Sequence, residues 1–70
     1  MQINTGIKDQ EYDLLSVLYH TLQSCEILGK YEEDARAAND YELVRFFQEL
    51  QEADRKRASQ TKQLLLQRAE

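Results

Sequence analysis

The four residues "AAND", positions 37–40, do most to limit how this chain can fold. On both sides of them a helical spacing runs on without interruption. The chain has no proline, and its only glycines are Gly6 and Gly29. Leu, Glu, Gln, Ala, Arg and Lys, all good helix formers, dominate the composition, and no β-branched run competes for strand. Asn39 suits a left-handed helix end, and Asp40 suits the N-cap of a second helix. The pattern predicts an all-α chain: helix 1 over about 6–38, a turn at 39–40, and helix 2 over about 41–68. Thr5 is the expected N-cap of helix 1, with Asp9 and Glu11 in its first turn, and Arg68 falls in the last turn of helix 2. Two long helices joined by so short a turn must double back into an antiparallel hairpin.

Seventy residues bury too small a fraction of their surface for easy stability alone. A wheel at about 100° per residue gives each helix an apolar stripe. On helix 1 it holds Tyr12, Leu15, Leu18, Tyr19, Leu22, Cys25 and Gly29. On helix 2 it holds Leu43, Phe47, Leu50, Thr61, Leu64 and Leu65. Two facing helices leave part of each stripe open. A second, twofold-related hairpin would close it into a four-helix bundle. The expected dimer core is Leu15, Tyr19, Leu22, Leu43, Phe47, Leu50, Thr61 and Leu64.

Charges interrupt these stripes. Asp54 sits near the centre of the helix 2 stripe, with Arg57 one turn on. Glu26 lies close to Tyr19 and Leu22 on the helix 1 wheel, and Glu33 shares its side two turns later. An antiparallel hairpin turning near residue 40 pairs positions whose numbers sum to roughly 80, so Glu26 is expected near Asp54. Two hairpins would bring two copies of Glu26, Asp54 and Arg57 to the middle of the bundle. Buried carboxylates need compensation, from a metal ion or from a protein cation.

Glu26, Tyr31, the "DYEL" start of helix 2 and Asp54-x-x-Arg57 together resemble the helical hairpin of ferritin-like proteins. The spacing is closest to that of encapsulated ferritins, over roughly residues 19–66. The resemblance implies a two-helix chain that dimerises into a four-helix bundle. It also implies a di-iron site across the dimer interface, held by a helix 1 Glu and a helix 2 Glu-x-x-His. Glu26 matches the first ligand and Asp54 the second, one methylene shorter. Arg57 stands in the place of the His. A guanidinium stays protonated and has no lone pair to give a metal, but it binds carboxylates well. The favoured expectation is therefore an ion-pair cluster of Glu26, Asp54 and Arg57, with no cofactor and no catalytic residue. The alternative is an iron-binding or ferroxidase-type protein whose metal sites are Glu26, Asp54 and Glu33.

The remaining features point elsewhere or to the bland reading. His20, the single histidine, faces outward. Ile27, Leu28 and Tyr31 on the outer side of helix 1 offer a contact for higher assembly. Tyr12 and Tyr19 read as core aromatics. Cys25 has no base near it and reads as a small apolar filler, and one cysteine forms no internal disulfide. Acidic helix 1 and basic helix 2 complement each other, and the net charge of −4 makes nucleic acid an unfavoured partner. The longest apolar run, Leu64-Leu65-Leu66, is too short to enter a membrane, and the N-terminal residues lack a signal-peptide pattern. A cytoplasmic homodimer is the expectation. An adaptor that binds a partner helix through an open apolar strip is the third class.

Overall fold

A computed structural model describes residues 9–68. It comprises α1, Asp9–Ala37, and α2, Tyr41–Arg68, packed along each other, with no strand among the described residues. The expected first turn from residue 6 and the Thr5 cap lie outside the described residues.

The turn is built from local chemistry. Asn39 takes a left-handed φ of 58°, a conformation Asn tolerates better than most residues. This lets the Asn39 N–H donate to Arg36 O (3.0 Å) and the Asp40 N–H donate to Ala35 O (2.9 Å), closing the last carbonyls of α1. Asp40 then starts α2: its Oδ1 accepts from the Leu43 N–H at 3.3 Å, as an N-cap carboxylate does. Adjacent residues thus end one helix and begin the next, and the chain reverses.

The inner seam of the hairpin follows an alternating three- and four-residue step. On α1 it runs through Leu14, Leu18, Thr21, Cys25, Leu28, Glu32 and Ala35, and on α2 through Val44, Phe47, Gln51, Asp54, Ala58, Thr61 and Leu65. All of these are buried or half-buried. The pairing follows the expected register: Ser24 meets Asp54 and Tyr31 meets Phe47.

The seam shares Leu18 and Cys25 with the predicted stripe of α1 and is otherwise turned one step round from it. Tyr12, Leu15, Tyr19 and Leu22 stand beside it and are exposed, Tyr19 by 64%. On α2, Leu43 and Leu50 are exposed, Leu64 and Phe47 are half-buried, and Thr61 is buried. The reason is steric and polar together. Thr21, Ser24, Cys25 and Ala35 are small enough to let the helices approach, and Ser24 and Cys25 meet hydrogen-bond partners across the seam. A row of tyrosines would hold the helices apart.

The cost is a meagre interior. The buried apolar residues among those described are Ala35, Val44 and Ala58, and no large side chain is fully buried. The molecule is one helix layer thick, with extents of 49 × 22 × 13 Å.

Candidate functional site: a polar cluster at mid-seam

Asp54 is the centre of the site. It is 5% exposed, at the middle of α2, and faces α1. Its Oδ2 accepts from Ser24 Oγ at 2.8 Å, across the seam. Its Oδ1 accepts from Arg57 Nη1 at 2.7 Å, one turn along α2. The short contacts are those of charge-assisted hydrogen bonds. Arg57 differs from its partner: its side chain is 55% exposed, so the guanidinium caps the carboxylate from the surface. Thr61 Oγ1 donates to Arg57 O at 2.7 Å and continues the polar line down the seam.

Nearer the turn lies a second polar node. Glu32 Oε1 accepts from Gln51 Nε2 at 2.8 Å, and its Oε2 accepts from Arg36 Nη2 at 2.7 Å and Gln48 Nε2 at 3.2 Å. Gln51 is buried and also donates to Phe47 O at 3.3 Å. The Arg36 hydrogen bond, followed by that of Gln51, holds the Glu32 carboxyl below its ordinary pKa. Cys25 lies half-buried between the nodes, its thiol pointing at Gln51 O at 3.9 Å. Among the described residues no buried side-chain nitrogen or oxygen lacks a partner.

The structure brings Asp54 and Arg57 together and leaves Glu26 and Glu33 out of that contact. Both glutamates are exposed, and neither makes a hydrogen bond or ion pair with another described residue. The seam geometry explains the separation. Ser24 and Arg57 line one flank of the hairpin, with Val17, Tyr31, Leu43, Leu50 and Leu64. Tyr31 lines one groove with Leu43, and Val17 lines another with Leu64, which fixes these rows on the same side. Glu26 follows Tyr12, Leu15, Tyr19 and Leu22 on the other flank. Among the described residues no three His, Cys, Asp or Glu side chains converge to hold a metal ion. The position of the expected His carries a guanidinium, which has no lone pair to give a metal.

His20 is exposed, its Nδ1 2.8 Å from Ser16 O within the same helix. Of the three outer residues, Ile27 and Tyr31 are exposed while Leu28 belongs to the seam. Tyr31 packs on Phe47, with ring centroids 5.8 Å apart. Sequence reasoning does not single out Ser24, Glu32 or Gln51. The step from Leu14 through Leu18, Thr21, Cys25 and Leu28 is the signal that points to Glu32, and the step from Val44 and Phe47 to Asp54 the one that points to Gln51.

No helix among the described residues is long and apolar enough to cross a membrane. No family model matches the chain, and neither the curated proteins nor the solved structures yield a match to it.

Proposed function

We propose that this chain is a small ferritin-like structural or protein-interaction module, homodimeric and non-catalytic, with an ion-pair cluster where look-alike hairpins hold a di-iron site. The observation that carries this reading is the Ser24–Asp54–Arg57 set. A carboxylate buried at the helix 2 ligand position has its charge met by a guanidinium and its second oxygen met by a hydroxyl. Such a group has its charge met without a metal. Glu26 is not drawn into the cluster within one chain, so the proposed cluster is Asp54 and Arg57 completed by Ser24.

The large exposed side chains support the interaction half of the proposal. Tyr12, Leu15, Leu22, Leu43, Phe46 and Leu50 all stand outside a seam of small and polar residues. Exposed apolar side chains in that number on a hairpin this size support a contact surface.

Elemental analysis of untreated protein, with ferrous-oxidation assays, tests the reading. The expected result is metal far below one ion per chain and no oxidation above the buffer rate. Stoichiometric iron, manganese or zinc that disappears in Asp54→Asn would overturn it.

A further inference from the structure

We propose that a second copy of the chain lies head to tail on the flank that carries Leu43, Leu50, Arg57 and Leu64, leaving Glu26 outside. This rests on the homodimer proposed above and specifies its face and direction.

Three observations choose the face. First, a hairpin 49 × 22 Å across and 13 Å thick is a single layer. Its broad side is comparable to the roughly 800 Å² that each partner gives a standard interface. Second, a groove opens at each end of this flank. The groove of about 290 Å³ lies at the turn, lined by Tyr31, Leu43 and Phe47. The groove of about 270 Å³ lies at the open end, lined by Leu14, Val17 and Leu64. Third, both helices contribute apolar residues here. On the opposite flank α1 presents an apolar row, and α2 presents Gln48, Arg55 and Lys62 between the exposed Tyr41 and Leu66.

Charge chooses the direction. The turn-end groove is rimmed by Asp34 and Asp40. The open-end groove is rimmed by Asp13 and Arg68. Two copies with their turns together would gather four carboxylates at one end with no cation on either rim. Two copies head to tail bring Arg68 of each to the acidic turn of the other. The twofold axis then passes through mid-seam, where the Asp54–Arg57 pair meets its own copy. That pair carries no net charge. The half-exposed guanidinium has N–H groups left to donate across the interface. The result differs from the ferritin-like dimers the sequence resembles, because the helix 1 glutamate stays out of the interface.

Sedimentation equilibrium and electron-electron spin distances test this on the full chain. Leu50→Asp on the proposed face is expected to raise the dimer dissociation constant at least tenfold, and Leu15→Asp on the opposite flank to leave it within about twofold. Leu43→Lys serves as a second probe of the same face should far-UV circular dichroism show Leu50→Asp to be unfolded. A nitroxide on Glu42→Cys, in a Cys25→Ser background, is expected to give a distance of about 40 Å, the length of one helix. A distance below about 30 Å means turns together and overturns the direction. A dimer that survives both Leu50→Asp and Leu43→Lys but is lost in Leu15→Asp overturns the face while the homodimer stands. A monomer at high protein concentration removes the homodimer itself, and this inference with it.

Discussion

Replacing Arg57 by Met asks how much the guanidinium does for Asp54, because Met keeps most of the apolar stem and removes the charge. The Asp54 side chain is 7% exposed and that of Arg57 55%. A hydrogen bond to a charged group contributes about 1.5–3 kcal/mol when dry. An exposed ion pair contributes about 0.2–1 kcal/mol, because water screens it and side-chain entropy opposes it. This pair lies between the two limits, one partner buried and one half in solvent, so about 1–1.5 kcal/mol is expected. Ser24 remains on Oδ2 in the variant, which prevents the carboxylate from being wholly stranded. Asp54→Asn keeps the shape and a hydrogen bond to Ser24 while removing the charge. Arg57→Met in that background should cost less than about 0.5 kcal/mol, leaving a coupling of about 1 kcal/mol in the double-mutant cycle. Urea unfolding followed by far-UV circular dichroism reads this, at one protein concentration because dimerisation shifts apparent stability. With a slope of about 1 kcal/mol per molar urea, the Arg57→Met midpoint falls by about 1 M. An equal loss in both backgrounds refutes the reasoning, since the guanidinium would then act through something other than Asp54.

Other expectations rest on single positions. Asn39→Ala should lose about 1 kcal/mol, because a Cβ-bearing residue without a polar side chain is strained at φ 58°, whereas Asn39→Gly should stay within a few tenths; thermal unfolding separates the two. Gly29→Ala should stabilise by about 0.5–1 kcal/mol, since the new methyl meets only Gln51 Oε1 at an ordinary 3.8 Å and the helix gains propensity; a loss would show the seam to be tighter there. Glu32, held below its ordinary pKa mainly by Arg36 and then Gln51, contributes stability that is complete above the unfolded carboxylate's pKa and is lost as pH falls through the lower folded value. Glu32→Gln should therefore flatten the acid side of the urea midpoint measured between about pH 7 and about pH 3.

The end of α1, the turn and the start of α2 can be read from the residues because their causes are local. Asn39 and Asp40 end and begin helices by hydrogen bonds to neighbours a few positions away, and such chemistry is visible in a short window. The antiparallel register is equally readable, since a two-residue turn leaves little freedom. The rotation of α1 about its own axis is not. This helix carries two candidate rows at heptad spacing. One is Tyr12, Leu15, Tyr19 and Leu22; the other is Leu14, Thr21, Leu28 and Glu32; and Leu18 and Cys25, which the predicted stripe includes, lie where the two rows meet. Hydrophobicity favours the first. Partner chemistry on α2 favours the second, because Gln51 and Asp54 need donors and acceptors opposite them, and Ser24 and Glu32 flank or occupy that row. A wheel drawn for one helix at a time contains no information about the other helix's polar needs. The same rotation that seats Ser24 against Asp54 carries Glu26 to the far flank, so one angular step decides which acid meets Arg57.

That step also bears on what a module of this kind is built to do. A chain whose largest apolar side chains lie inside can complete its fold alone. Here the order is reversed: Thr21, Gln51, Asp54 and Thr61 are buried, while Tyr19, Leu22, Phe46 and Leu50 face outward. The polar seam sets which faces of the two helices meet, since its hydrogen bonds work in one register only. It supplies little of the apolar burial that holds small domains together. On the proposed reading, that burial comes from association, so assembly and stability rise together with protein concentration. Specificity then resides inside each hairpin and cohesion between hairpins. An ion pair at mid-seam suits that division better than a metal would, because it orients the helices before any second copy arrives.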